Sequence, residues 1–487
     1  MIDPRSFMVV IPEMEVAVVA LVSLIAAAVC GGRVTRYIGG LAIGAFIFAG
    51  LSMFCSARLG FLLDGALPAY AFHGQFVDDA FGRFAKAIIL VASSLSIFLS
   101  WSYFEKDDHK KPEYPVLIMF ATLGMMLMVS ASNLLSLYVG LELQSLTLYV
   151  LAAFKRDDMR SSEAGLKYFV LGSLSSGILL YGISLIYGFA GTTDFVSLSF
   201  ALRNQAGAHP GIVIGTVFIC AAMAFKVAGV PFHMWAPDVY EGAPTPVTAF
   251  FASAPKIAAM TLLTRLLLEP MIGLTAQWYQ VLVFISVASM LLGAFAGLVQ
   301  TKLKRLLAYS AIANVGYLLI GVLVGGKTGV QALLIYFTLY ALNTLGAFAV
   351  ILCLRRGGQS TETIDDLSGL SKTNPLVALS MAIFMFSLAG IPPLAGFFAK
   401  YFMFMAAIRG GLMPLALIGV LTSVVTAFYY LKIIKTMYFD EAMRVIDPLP
   451  DWGVRFVLGV TSVAMVGFVL MPSPLIEGAL NAVKMYP

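Results

Sequence analysis

Four lysines and one glutamate lie within segments of this sequence that are otherwise apolar: Glu142, Lys167, Lys226, Lys256 and Lys400. A charged lysine near the centre of a membrane helix costs about 2.5–3.5 kcal/mol on insertion scales. Ionisable residues at such depth usually mark an ion or proton path. Because a desolvated lysine titrates whereas arginine stays charged, the lysines predict proton transfer within the membrane.

Each of these residues also has a structural interpretation. Lys167 is about five residues into its predicted helix, so its ammonium can snorkel to the interface. Lys256 is about ten residues from either end of its helix, which favours a functional role. Glu142, the only acidic residue predicted deep inside a span, can serve as a structural ion-pair partner. Arg265 has Glu269 four residues on, and this spacing favours a snorkelling or ion-paired structural role.

The segment "MAFKVAGVPFHMW" places Lys226 just before Gly229 and Pro231, which interrupt a helix. We expect the freed carbonyl groups and water to solvate the Lys226 ammonium. Burial disfavours the charged form of a lysine and a nearby carboxylate such as Glu142 favours it, so a small movement can switch the charge state. His233 either extends this path or packs as a structural residue.

The composition predicts an all-α polytopic membrane protein. Hydrophobic residues make up 60% of the 487 positions and charged residues 12%, against about 25% in soluble domains. Apolar windows of about 20 residues recur, and neither a cleavable signal nor strands are predicted. The fourteen predicted spans are 8–30, 36–56, 84–104, 114–131, 134–154, 163–190, 211–235, 244–268, 278–300, 304–325, 329–354, 375–407, 411–433 and 454–471.

Basic residues predict the orientation. Eighteen lysines and arginines fall in loops after odd-numbered spans, and eight, among them Lys86, fall in the other loops and the termini. The positive-inside rule therefore places both termini in the periplasm. The net charge of +5 follows from this bias and suggests no nucleic-acid partner.

Two pairs of segments indicate an internal repeat. "FKVAGVP" at 225–231 aligns with "FSLAGIP" at 386–392, and "LKYFVLGSLSS" at 166–176 aligns with "LIYFTLYALNT" at 334–344. Five spans separate the partners, so the two copies run in opposite directions through the membrane. The predicted units are three N-terminal helices (1–113), two inverted five-helix repeats with broken seventh and twelfth helices (114–270 and 271–440), and a C-terminal helix (441–487).

Residues 114–440 resemble the antiporter-like membrane subunits of respiratory complex I, the proton-pumping NADH:quinone oxidoreductase. The motifs that carry the resemblance are "GLELQSLTLYVL", "FKVAGVPFHMWAPDVYEGAPTPVTAFFASAPK" and "LAGIPPLAGFFAKYF". The stretch "FFASAPK" contains no histidine, and no long arm follows the last predicted span. In both respects the chain resembles the subunit N type. The three helices before residue 113 suggest a bacterial version.

The resemblance implies a proton relay of Glu142, Lys226, Lys256 and Lys400, with Lys167 as a further lysine. The predicted topology places Lys400 towards the far side of the membrane, so we expect uptake from the cytoplasm, passage from Lys226 to Lys256, and release past Lys400 to the periplasm. NADH, FMN, iron–sulphur clusters and quinone are expected in partner subunits, with no cofactor or metal in this chain. The implied partners are neighbouring membrane subunits, the lateral helix of subunit L and lipids of the bacterial inner membrane.

Two alternatives remain open from the sequence. The large subunit of a multisubunit sodium/proton antiporter would carry the same repeat, with residues like Glu142 and Lys226. A structural membrane subunit whose buried charges have lost their task would also fit. The four cysteines have no metal-ligand spacing, so no redox chemistry is predicted in the chain itself.

Overall fold

A computed structural model describes residues 4–63, 69–106, 111–204, 209–357, 359–441, 447 and 452–486, most of them in helices. The N-terminal part holds α1 (Pro4–Val9), α2 (Ile11–Cys30), α3 (Thr35–Leu63) and α4 (Ala80–Lys106). It is followed by α5 (Glu113–Val129), α6 (Leu134–Ala152), α7 (Met159–Ala190), α8 (Phe195–Asn204), α9 (Pro210–Val227), α10 (Trp235–Gly242), α11 (Thr245–Phe251) and α12 (Ala254–Leu268).

The second half is also helical. It holds α13 (Thr275–Leu298), α14 (Leu303–Val324), α15 (Gly326–Cys353), α16 (Leu370–Thr373), α17 (Pro375–Ala389), α18 (Ala395–Arg409) and α19 (Met413–Phe439). The chain then ends with α20 (Trp452–Leu470) and α21 (Ser473–Ala482).

The helices confirm a polytopic all-α membrane protein. Among the described residues, eleven segments are long and apolar enough to cross a bilayer, and α5 and α17 are shorter apolar helices. One of the eleven segments, Ile11–Cys55, contains both α2 and α3, so the fourteen predicted spans all have a helical counterpart. The predicted span 244–268 is divided into α11 and α12, with Pro255 in the first turn of α12.

The expectation of no strands was wrong in detail. β1 (Ala69–Ala71) pairs antiparallel with β2 (Phe76–Asp78), and β3 (Arg355–Arg356) pairs antiparallel with β4 (Gln359–Ser360). These two-stranded hairpins lie in loops between helices, where backbone groups find partners locally. Sequence windows of about 20 residues do not detect elements of two or three residues.

Burial is very uneven among the spans and defines the centre of the bundle. In Thr245–Leu268 every residue up to Leu267 is buried, and 94% of the residues in the most apolar stretch of Gly326–Cys353 are buried. In contrast, Ile11–Cys55 is only 22% buried, as expected of helices that face lipid or other proteins. The breaks after Val227 and after Ala389 both lie beside this buried centre.

Both chain termini pack at the start of α4. Ser6 accepts a hydrogen bond from the Phe72 N–H, and the Tyr486 ring packs edge-on against Phe81 at 5.3 Å. We call this end of the bundle the terminal end, and the other the opposite end.

Small residues let α5 and α6 approach closely. A Cβ atom added to Gly124 would lie 2.8 Å from the Gly140 carbonyl oxygen, and one added to Gly140 would lie 2.8 Å from the Met128 nitrogen. Such close backbone approach is typical of packed membrane helices. It fixes the position of α6, which carries Glu142 two residues after Gly140.

We therefore expect Gly140→Ala to destabilise the protein by about 1–3 kcal/mol through overpacking, although alanine has the higher helix propensity. The control is Gly177→Ala on α7, because an added Cβ there meets no atom within 4 Å. Thermal unfolding of the purified proteins in detergent measures both changes. Equal unfolding midpoints for the two variants would contradict the close-packing argument.

Candidate functional site

Lys226 of α9 is hydrogen-bonded to α6, the helix that carries Glu142, whereas Glu142 Oε1 has no hydrogen-bond partner among the described residues. Lys226 Nζ donates to Ser145 Oγ at 2.9 Å and to Ser176 Oγ at 3.3 Å. Ser145 follows Glu142 by three residues, so both are on one face of α6. Glu142 interacts electrostatically with Lys226, but among the described residues no direct ion pair joins them.

The expectation that freed carbonyl groups solvate Lys226 was wrong. At the first break, the Ala224 carbonyl accepts from the Gly229 N–H at 2.7 Å, and the Phe225 carbonyl accepts from Trp235 Nε1 at 2.9 Å. These carbonyls are thus used to hold the break itself. The hydroxyl groups of α6 and α7 solvate the Lys226 ammonium instead.

Carbonyl solvation occurs at the second break. Lys400 Nζ donates to the Leu388 carbonyl at 2.9 Å, to the Ala389 carbonyl at 3.2 Å and to Ser423 Oγ at 2.7 Å. Gly390, with φ of 82°, ends α17 in the left-handed region and turns these carbonyls away from a continuing helix. Lys400 is buried, and its ammonium also lies 5.5 Å from the centre of the Tyr317 ring.

Lys256 has a different environment. It is the third residue of α12 and is only 4% exposed. Its ammonium has no hydrogen-bond partner among the described residues and lies 5.3 Å from the centre of the Tyr240 ring. A cation–π contact is therefore its main attractive interaction with a described side chain.

A cluster of buried polar side chains extends between Lys256 and Lys400. Tyr336 donates to Asn314 Oδ1 at 2.6 Å, Asn314 donates to the Ser310 carbonyl at 2.8 Å, and Ser310 Oγ is 2.5 Å from the Tyr430 hydroxyl. The sequence predicted bridging hydroxyls in general, but not which ones. No spacing rule relates α14, α15 and α19, so only the fold identifies them.

A small cavity joins this cluster to Lys400. It has a water-accessible volume of about 20 Å³, with Asn314, Tyr336, Tyr340, Asn343 and Lys400 in its lining. That volume is enough for about one water molecule.

Lys226 and Lys256 are not joined by such a cluster. The Trp235 ring packs against Phe225 of α9 at 5.7 Å and against Tyr240 at 6.4 Å, and it stacks on Tyr168 at 4.5 Å. His233 lies in the first break and is half-buried. Its Nδ1 has no hydrogen-bond partner among the described residues, and its role stays a prediction.

Lys167 belongs to a charged network at the opposite end. Its side chain is 43% exposed and forms ion pairs with Glu163 at 2.7 Å and with Asp238 at 2.9 Å. Arg305 also pairs with Asp238 at 2.9 Å and with Glu241 at 3.1 Å. Burial alone raises the pKa of the Asp238 carboxyl, but hydrogen bonds from Lys167 and Arg305 hold the pKa below its usual value. This arrangement agrees with the structural interpretation of Lys167.

Sequence reasoning missed a second group of buried charges, at the terminal end. Lys86, expected in a loop, lies inside α4 and pairs at 2.6 Å with Glu13, which was expected at the head of the first span. Both side chains are 2% exposed. Arg265 is paired as predicted, but it does not snorkel, because it is buried between Asp79 and Glu269. Pairs between distant helices leave no signal in a local window.

Comparisons with known proteins identify the family to which the sequence is similar. Residues 131–426 match the family described as NADH:quinone oxidoreductase/Mrp antiporter, transmembrane. The chain is 51% identical over 474 residues to NADH-quinone oxidoreductase subunit N of Rhodospirillum rubrum, covering 97% of this chain and 96% of the relative. It is 52% identical to the same subunit of Methylobacterium nodulans, with the same two coverages.

Two solved structures have a similar fold. A chain of respiratory complex I from Thermus thermophilus with bound aureothin is 30% identical, with a TM-score of 0.81 and coverage of 97% of this chain and 100% of that one. A chain of the Mrp complex from Dietzia sp. is 23% identical, with a TM-score of 0.85 and coverage of 99% and 97%. At that identity, the Mrp similarity establishes the fold alone.

The different environments of the two buried lysines predict opposite effects on stability. Lys256→Met removes a buried ammonium that lacks a hydrogen-bond partner, so we expect stabilisation by about 1–3 kcal/mol. Lys400→Met leaves two buried carbonyls without their donor, so we expect a loss of similar size. Thermal unfolding measures both, with the exposed Lys327→Met as control. A shift in the same direction for both variants would contradict these environments.

Proposed function

The chain belongs to the NADH-quinone oxidoreductase subunit N family, and from that premise we propose that it moves protons through Glu142, Lys226, Lys256 and Lys400. It is a membrane subunit of a proton-translocating oxidoreductase. The observation that carries the proposed relay is the position of Lys256. This lysine lies in the segment Thr245–Leu268, which is buried up to Leu267, between a Glu142–Lys226 site and the polar cluster that ends at Lys400.

The environments of the lysines support proton exchange rather than permanent charge. Lys226 is held by hydroxyl groups, which both donate and accept hydrogen bonds. Lys256 has no fixed counter-charge among the described residues, so uptake or loss of a proton breaks no ion pair. When Lys400 is charged, its ammonium donates hydrogen bonds to carbonyl and hydroxyl acceptors.

In the proposed sequence, a proton enters at Glu142 and Lys226, passes to Lys256, and leaves past Lys400. Water must complete the step between Lys226 and Lys256, because the ring contacts from Phe225 through Trp235 to Tyr240, which is beside Lys256, cannot carry a proton. Asn314, Tyr336 and the hydroxyl groups near them relay the proton from Lys256 towards Lys400. Lys167 and His233 are further candidates, with Lys167 at the entry side.

The energy for this transfer comes from partner subunits. We propose that these partners contain NADH, FMN, iron–sulphur and quinone sites, and that neighbouring membrane subunits, the lateral helix of subunit L and lipids contact this chain. Exposed apolar side chains on α7 and α19, such as Phe169 and Val424, are suited to such contacts. The proposed location is the bacterial inner membrane, with the terminal end in the periplasm.

The main alternative is the large subunit of a sodium/proton antiporter. The Mrp similarity supports a common fold, whereas the relatives at about 50% identity are subunits of NADH-quinone oxidoreductase. Purifying the tagged chain from its native membrane distinguishes the two. Flavin and iron–sulphur subunits in the preparation support the proposal, and cation-antiporter subunits would contradict it.

The relay predicts that Lys226→Met and Lys256→Met each lower the protons pumped per NADH oxidised. The physical reason is that methionine preserves the volume of the side chain but cannot bind a proton. The measurement is NADH-driven acidification of liposomes that contain the purified complex, with assembly checked by subunit content. Lys327→Met, an exposed lysine outside the relay, is the control. Unchanged pumping in both relay variants would favour the structural alternative.

A further inference from the structure

Arg265 is a fully buried guanidinium that joins three helices at the terminal end. Its Nε donates to the Val129 carbonyl at the end of α5, at 3.1 Å. Its Nη2 donates to Asp79 Oδ1 at 2.9 Å, and its Nη1 lies 2.7 Å from Asp79 Oδ2. Nη1 also contacts Glu269 Oε1, one turn further along its own chain, at 3.2 Å. All three guanidinium nitrogens therefore have partners.

The partners of Arg265 are themselves fixed. Asp79 Oδ1 accepts from the Gly82 N–H at 2.6 Å and so caps the first turn of α4. Glu269 Oε1 accepts from the Tyr486 hydroxyl at 3.2 Å, near the end of the chain. The planar fork of Arg265 thus ties α12 to α4, to α5 and to the C-terminal residues in one defined orientation.

Arg265 and Lys256 lie on opposite faces of the same helix. They are nine residues apart, which is two and a half turns of α12 and about 13 Å along its axis. Lys256 points to Tyr240 of α10, whereas Arg265 points to α4 and α5. Any rotation of α12 about its axis therefore moves both side chains together.

No other polar contact of Lys256 fixes this rotation. Its ammonium has no hydrogen-bond partner among the described residues. Ala252 and Ser253 interrupt the helix between α11 and α12, so α11 does not continue into α12 as a rigid rod. Among the described residues, the side-chain hydrogen bonds that join α12 to other helices come from Arg265, at its other end.

We propose that Arg265 is a positioning residue for Lys256, holding α12 at the rotation and depth that place the lysine ammonium against the Tyr240 ring. Arg265 itself carries no proton in this scheme, since arginine stays charged in proteins. The assignment rests on the proposed relay function of Lys256. It adds the start of α4, through Asp79, to the parts of the chain on which that relay depends.

The experiment uses the whole complex in liposomes and compares Arg265→Lys and Asp79→Asn with Lys256→Met. Arg265→Lys keeps the positive charge but loses the fork. The matched control is Arg83→Lys, because Arg83 makes a comparable forked pair with Asp78 at the same end but forms no hydrogen bond or ion pair with α12 among the described residues. The readouts are subunit content, and the rate of proton pumping and the protons pumped per electron, both per assembled complex.

We expect Arg265→Lys and Asp79→Asn to assemble and to lower pumping per assembled complex to the Lys256→Met value, with Arg83→Lys unchanged. A merely structural role lowers the amount of complex and leaves pumping per assembled complex intact, and this result would overturn the assignment. Failure of both variants to assemble, or an equal loss in Arg83→Lys, would overturn it too. Normal pumping in Lys256→Met would instead refute the proposed function.

Discussion

An ammonium group inside a bilayer has to be solvated by protein groups, because hydrocarbon offers neither hydrogen-bond acceptors nor opposite charge. The three central lysines meet this requirement in three ways. Lys226 has hydroxyl groups, Lys400 has the carbonyls of a broken helix, and Lys256 has an aromatic ring. The rest of the architecture follows from these needs, since helix breaks, small-residue contacts and buried tyrosines all serve to bring such groups to membrane depth.

The two breaks have similar sequences, but the nearby lysine precedes the first break and follows the second. "FKVAGVP" places its lysine before the break, and the freed carbonyls there bind Gly229 and Trp235. "FSLAGIP" has Ser387 at the corresponding position; its Phe386 carbonyl accepts from the Gly390 and Ile391 N–H groups, and its Leu388 and Ala389 carbonyls accept from Lys400, ten residues after Gly390. In both breaks, therefore, a carbonyl near the helix end binds backbone N–H groups beyond it, while the lysine lies before the first break and after the second.

Local patterns in the sequence were sufficient for the positions of the spans, the two predicted breaks and the burial of the central lysines. They did not predict the break that makes Lys256 the third residue of α12 instead of a residue about ten positions from either helix end. Hydropathy and the cost of a buried charge are properties of a single segment, so Lys256 and Lys400 could be identified without a fold. The buried ion pair of Lys86 and Glu13 could not be identified in this way, because the two residues are 73 positions apart in the sequence. The Ser310–Asn314–Tyr336 cluster was missed for the same reason. Which polar residues of different helices contact each other is known only once the packing of the helices is known.

The Asp79–Arg265 contact has a consequence for how chains of this kind can change in length over evolution. Loss of the segment up to α4 would remove Asp79 and leave a buried guanidinium with Glu269 as its remaining carboxylate partner. A shortened descendant would therefore need either an uncharged residue at position 265 or a replacement carboxylate from a neighbouring subunit. The N-terminal helices, although the most exposed part of the molecule, are not an appendage that can be deleted independently.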